Sequence, residues 1–178
     1  MGAWKNKNPD KIVNKKNIEE VFMLRKKQEI KEKSEIESII KSSIVCRLAL
    51  SDDDQPYIVP LCFGYKDNNL YFHTGPKGMK LEILKKNPKV SFEFETDVGV
   101  LKGKAPCKWN MQYNSVIGYG KAFILDNNDG DMEKKTALNA IIRQYSDEDV
   151  LLPDVNIEKI VIIRVRIDHM TGKHSSIT

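Results

Sequence analysis

Between Leu70 and Val90 the chain reads LYFHTGPKGMKLEILKKNPKV, setting His73, Thr74, Gly75, Lys77, Gly78 and Lys80 between a strand-like and a helix-like segment. With a helix beginning near Lys77, successive residues turn by 100°, so Met79, Leu81, Ile83 and Leu84 form an apolar arc whose middle is Lys80. A lysine that faces a core needs a partner, because a buried, unpaired ammonium is costly. An anion is the natural one here. The first turn of a helix offers free N–H groups and the positive end of the dipole, and Gly75 and Gly78 let a ligand come close to the backbone. Thr74 adds a hydroxyl and His73 an imidazole, completing a phosphate cradle. The competing reading is plainer: Lys80 runs its aliphatic stem out to water and TGPKG only connects a strand to a helix. GPKGMK is not a P-loop, and no GxGxxG follows the first strand.

Pro60 is a second irregularity, since it interrupts the well-alternating PYIVPLCFGY (Pro56 to Tyr65) and cannot donate to a ladder. That strand is expected at an edge or split from its neighbour. The break frees backbone groups for a flat heterocycle, or simply protects an edge from aggregation. Other chemistry finds little support. There is no GxSxG or HExxH, and His73, His169 and His174 lack metal-ligand spacing. Cys107 beside Lys108 is a lone thiol, and Asp52, Asp53 and Asp54 read as turn residues. With no catalytic side chain and no metal site to assign, reactivity would belong to a cofactor.

The elements that must carry these residues are mostly strands. Ile18, Val21 and Phe22 mark a short helical face, and the Ser34/Glu37 spacing predicts a capped helix that turns Ile36, Ile39 and Ile40 inward. The period then changes to two. IVCRLAL (Ile44 to Leu50), Pro56 to Tyr65 with Tyr57, Val59, Leu61, Phe63 and Tyr65 on one face, and LYFHT form an expected three-stranded meander. A helix over Leu81 to Asn87, a strand over Pro88 to Glu95, a loop over Thr96 to Asn110 and a long strand over Tyr113 to Leu125 follow, with Gly118 and Gly120 as sites for a bend. From Asp131 a helix presents Leu138, Ile141, Ile142 and Tyr145, and a last strand covers Lys159 to Asp168. Short strands with few helices between them favour an antiparallel barrel or sandwich.

Composition narrows the function classes. The 178 residues hold 29 Lys and Arg against 25 Asp and Glu, a net +4 that is too small to argue by itself for nucleic acid as a partner. Cys46, Cys62 and Cys107 fit no disulfide or zinc pattern and suit a reducing cytoplasm. The opening MGAWKNKNPDKIVNKK has no apolar core of a signal peptide, and IVII (Ile160 to Ile163) is too short to span a bilayer. Residues 1–17 read as a basic, flexible arm and residues 18–178 as a single domain.

VCRLALSDDDQPYIVPLCFGYKDNNLYFHTGPKGMKLEILKKNPKVSFEFE, followed by CKWNMQYNSVIGYGKAFIL, resembles the nitroimidazole-resistance (Nim-type) branch of the pyridoxamine 5'-phosphate oxidase-like FMN split barrels. The resemblance rests on the order RLAL, PYxVPLxFGY, LYFHT with a lysine in the next helix, NPxVxFE and YxSVxGxGKA. It implies a mainly β fold with flanking helices, a six-stranded antiparallel split β-barrel, and a homodimer with FMN at the interface. His73, Thr74, Lys77 and Lys80 match the segment for the flavin phosphate. Val59 and Pro60 match the backbone along the isoalloxazine, and Trp109, Asn110 and Ser115 match the segment contributed by the second subunit. RVRIDHMTGKHS (Arg164 to Ser175) departs from the substrate-phosphate motif of the oxidases proper, so vitamin B6 oxidation is not implied. The resemblance implies an FMN-dependent oxidoreductase moving electrons from a small donor to a small acceptor such as a nitroimidazole. The alternative is non-catalytic storage or sensing of a flavin or haem.

Overall fold

A computed structural model describes residues 28–125, 131–147 and 160–175. The helical face expected at Ile18 to Phe22 lies outside them. Among the described residues eight strands form one antiparallel sheet: β1 (Glu29–Ile30), β2 (Cys46–Asp52), β3 (Gln55–Leu61), β4 (Gly64–Lys66), β5 (Asn69–Thr74), β6 (Lys89–Leu101), β7 (Asn110–Leu125) and β8 (Val161–Ser175). Three helices accompany them: α1 (Lys33–Ser42), α2 (Met79–Lys86) and α3 (Asp131–Tyr145). The strand order is β3-β2-β6-β7-β8-β5-β4, with β1 added to β8. The sheet is open between β3 and β4, and its six long strands are those of a split β-barrel.

The barrel interior takes one face of every long strand. Phe63, Phe72, Phe92 and Phe94 are almost wholly buried there with Leu48, Leu70, Ile163 and Val165, each contributing roughly 1.5–3 kcal/mol by leaving water. Phe63 and Phe94 pack at 4.7 Å between ring centroids, and Phe94 meets Phe92 at 5.9 Å. Gly118 makes room for that stack, because a methyl group on it would lie 2.1 Å from the Phe92 ring. The bend expected near Gly118 and Gly120 takes the form of a register shift between Tyr119 and Gly120, with Asp168 of β8 as the extra residue.

The chain breaks between β3 and β4, so the expected meander is corrected: the two strands become the opposite edges of the sheet. Pro60 is the reason on the β3 side. Pro56 pairs with Ser51 and Pro60 with Arg47, and a proline can hold a paired place only where its nitrogen faces away from the partner. Both nitrogens therefore face the free edge, leaving the Ile58 N–H as the donor between them. Past the break, Phe63 donates its N–H to the Tyr145 hydroxyl (3.0 Å), which in turn donates to the Ile44 carbonyl (3.1 Å). A hairpin turn with positive φ at Asp67 and Asn68 then joins β4 to β5.

α3 builds a second apolar layer outside the barrel. Ala137, Leu138, Ala140 and Ile141 pack on Tyr71, Leu125 and Ile162. The expected stripe holds for Leu138 and Ile141, while Tyr145, 45% exposed with its ring edge-on to Phe63, uses its hydroxyl at the break. α1 buries Ile36, Ile39 and Ile40 as expected, but the capping box is corrected. The helix starts at Lys33 with Glu32 at its N-cap and no side-chain cap, and Glu37 instead accepts a hydrogen bond from the Tyr65 hydroxyl at 2.8 Å. Burial, aided by that bond, pushes the Tyr65 phenol well up.

Two strands outrun their expected bounds. The loop expected at Thr96 to Asn110 is strand at its two ends, because β6 resumes pairing with β7 after a bulge at Asp97 (φ 55°) and holds register to Leu101 opposite Asn110, leaving residues 102–109 as the connection. The last strand runs on from Asp168 to Ser175, pairing β7 to Tyr113.

Candidate functional site

His73 and Thr74 end β5, where they pair with Ile162 and Val161 at the start of β8. Gly75 to Gly78 then lead into α2, which begins at Met79 rather than near Lys77. Gly78 is its N-cap at φ 145°, a conformation that favours glycine, and no side chain caps the first turn. Leu81, Ile83 and Leu84 are buried, and Lys80 falls within their arc, half-buried. Met79 is a correction: at the first position of the helix it is 64% exposed instead of facing the core.

Lys80 has no hydrogen bond or ion pair among the described residues, whereas Lys85 and Lys86 of the same helix pair with Glu82 (2.9 Å) and Asp52 (3.0 Å). The two outward lysines are neutralised by carboxylates, and the inward one is not. Thr74, six residues before it, is half-buried, and His73 and Lys77 are exposed. A half-buried cation, an uncapped helix start and an open glycine loop offer positive charge and donors to an anion such as a phosphate.

Val59 and Pro60 lie on the opposite edge, in β3. Val59 pairs with Leu48 and packs toward the core, so the outward backbone groups on that edge belong to Pro60 and Ile58. Ile58 was not apparent from sequence, although it lies midway between two prolines four residues apart on the same edge. Arg47, cross-strand from Pro60, is a second residue the motifs did not mark. It holds Glu93 at 3.0 Å and Glu95 at 2.7 Å on the outer face of the sheet. Burial raises the Glu93 carboxyl above its ordinary range, and Arg47 opposes that rise. Glu95 is in turn the register partner of Ser115, which is buried in β7. Pro60, Arg47, Glu95 and Ser115 thus share one band of the sheet.

Trp109 and Asn110 lie elsewhere. Trp109 is 48% exposed at the tip of the β6–β7 arm, with Lys102 over its ring at 5.2 Å. Ile162 pairs with His73 on one side and Leu125 on the other, so the cradle lies at the Leu125 end of β7 and Asn110 at its beginning. Fifteen strand residues separate them, roughly 50 Å along the strand. The structure therefore does not bring Trp109 and Asn110 to the cradle of the same chain. Among the described residues no group of His, Cys, Asp and Glu could hold a metal, and no helix is long and apolar enough to cross a membrane. Cys46 is buried and Cys62 and Cys107 are exposed, all as free thiols.

The model of the pyridoxamine 5'-phosphate oxidase family matches residues 32–174. This chain belongs to that family. A crystal structure of a candidate 5-nitroimidazole antibiotic resistance protein from Bacteroides thetaiotaomicron is similar to it at 32% identity and a TM-score of 0.70, covering 82% of this chain and 85% of that one. That likeness places the chain in the nitroimidazole-resistance branch of the family. An FAD-binding protein from Mesorhizobium loti is 25% identical with a TM-score of 0.60, covering 82% of this chain and 96% of its own. An FAD- and haem-binding protein from Mycobacterium smegmatis shares the fold at 14% identity and a TM-score of 0.70, covering 84% of this chain and 74% of its own. An uncharacterised protein of Rhizobium meliloti is 33% identical over 89 residues, which are 50% of this chain, so the match spans about half (52%) of the length of that relative.

Proposed function

We propose that this chain is an FMN-binding flavoprotein, an oxidoreductase that acts on a small acceptor such as a nitroimidazole and works as a homodimer with the cofactor at the interface. The observation that carries the reading is Lys80, half-buried at an uncapped helix start and left without an anionic partner among the described residues. Lys80 neutralises the flavin phosphate, the first-turn N–H groups and the Thr74 hydroxyl donate to it, and Lys77 adds a second positive charge from the loop. The β3 edge, through Ile58 and Pro60, lies along the ring system. A bound flavin supplies the electron transfer, from a donor such as a reduced nicotinamide to the acceptor.

Distance supports the homodimer. Trp109 and Asn110 are a strand's length from the cradle of their own chain, so they serve the same flavin only from a second copy. The exposed Val98, Val100 and Met111 on the same arm give that copy an apolar surface to cover. The free thiols suit a reducing cytoplasm.

Titration of the apoprotein with FMN tests the reading. Lys80→Ala should weaken binding by about 1.5–3 kcal/mol, the worth of a hydrogen bond to a charged group; an unchanged affinity removes Lys80 from the site. A flavin spectrum in the freshly purified protein supports the assignment, and a Soret band replaces flavin with haem. Oxidation of a reduced nicotinamide that depends on an added nitroimidazole separates a catalyst from a storage or sensing protein.

A further inference from the structure

The outer face of the sheet carries a row of cations that the flavin cradle does not use. Lys89 of β6 pairs with Lys121 of β7, and Lys121 pairs with Arg166 of β8, so these positive side chains stand level on adjacent strands. All are exposed and alternate with the buried Val90, Ala122 and Val165. Like charges directly opposite one another in a sheet repel. Arg166 meets Asp168 at 3.4 Å, and neither lysine has an ion pair among the described residues. An aromatic ring holds two of the heads together: Phe123 has the Lys121 Nζ at 5.6 Å and the Arg166 guanidinium at 6.0 Å from its centroid. Arg164 lies against the same ring at 5.0 Å but is already neutralised by Glu133.

We propose that this row binds a short polyphosphate anion, the triphosphate group that a nucleotide carries, at a site separate from the flavin cradle. Neighbouring strands lie about 4.8 Å apart, so the backbones under Lys89 and Arg166 are roughly 10 Å apart and flexible side chains can converge from them on a chain of phosphates. The row is short. Ala49 of β2 pairs with Ser91, so past Lys89 the sheet is already turning at Asp52 to Asp54, and past Arg166 stands the neutral Asn69, which separates it from Lys66. A longer polyanion would meet carboxylates at one end and lose its cations at the other. The Phe123 ring, half-buried and flanked by cations, is no open platform for stacking the bases of a single-stranded nucleic acid. Arg166 is level with Asn69, five residues before Thr74 on β5, which puts the row roughly 17 Å along the strand from the cradle.

Calorimetric titration of the full-length protein at about 0.15 M salt, with and without added FMN, tests the site. Inorganic triphosphate and ATP should each bind at least about tenfold tighter than orthophosphate, and neither FMN nor Lys80→Ala should change that. Lys89→Gln and Lys121→Gln, both at exposed positions, should each weaken triphosphate by roughly two- to fivefold, the range of an exposed ion pair, whereas Lys33→Gln on α1 should not. Equal weakening in Lys33→Gln, or triphosphate binding no tighter than orthophosphate, overturns the proposal. So does loss of triphosphate binding with FMN present or in Lys80→Ala, which would put the anion in the cradle. A single-stranded oligonucleotide that binds this face more tightly than triphosphate does would assign it to nucleic acid instead.

Discussion

β3 and β4 are both edges of one sheet, yet β3 carries two prolines and no helix, whereas β4 lies under α3 so closely that a methyl group on Gly64 would sit 2.4 Å from the Ala140 backbone. An unpaired edge invites another strand, and the two solutions answer that hazard differently. At β4 the answer is cover: helix packing, a hydroxyl on the first free N–H past the break, and a tyrosine held by Glu37. At β3 the answer is removal of donors, which leaves the edge accessible. The sealed edge maintains the barrel, and the open edge is the one free to meet a ligand.

That division can be broken from either side. Gly64→Val should have the largest effect, about 3 kcal/mol of lost stability in chemical denaturation, because overpacking against a helix backbone cannot be relieved by a rotamer. A small loss would mean that α3 does not seal β4. Tyr145→Phe strands the Phe63 N–H and should cost about 1–3 kcal/mol, with flavin titration of the refolded protein unchanged. Altered flavin affinity in that variant would blur the distinction between the edges.

Tyr65→Phe removes one hydrogen bond, about 0.5–1.5 kcal/mol at neutral pH, and sharpens the comparison through pH. The Tyr65 phenol is raised in the folded state, chiefly by burial and then by Glu37. Above the ordinary tyrosine pKa of about 10 the unfolded chain releases that proton while the folded one keeps it, so stability falls as pH rises further. The alkaline decline, followed by thermal melts from pH 8 upward, should be shallower in Tyr65→Phe, and an identical slope would rule out Tyr65 as its source. Pro60→Ala should be the mildest in stability, about 0.4–1 kcal/mol, because it acts mainly by loosening the unfolded chain. It also returns an N–H to the open edge, and its signature should be aggregation or an altered flavin affinity rather than unfolding.

Strand alternation made most of the barrel legible, since inward residues such as Leu48, Phe92 and Val165 recur every second position. Pro60 announced an edge because a missing donor is visible in sequence. What pattern could not supply was pairing at a distance. Nothing local distinguishes a meander from two strands at opposite edges, and the β6–β7 arm looked like a loop because Asp97 and Gly99 interrupt its alternation at the bulge. Within the candidate site, Lys80 was readable from helical phase. Arg47 and Ile58 were not, because their interest comes from a neighbouring strand. Met79 escaped the phase argument because the helix starts at that residue, with no preceding turn to bury it.

The separation of Trp109 and Asn110 from the cradle by the length of β7 also bears on mass action. In the proposed dimer, a ligand that binds the assembled pair and not the single chain strengthens assembly by RT ln(1 + [L]/Kd) for each site, and assembly strengthens its binding reciprocally. Flavin retention would then fall on dilution of the protein, and the cell's supply of flavin would set how much of the chain is paired.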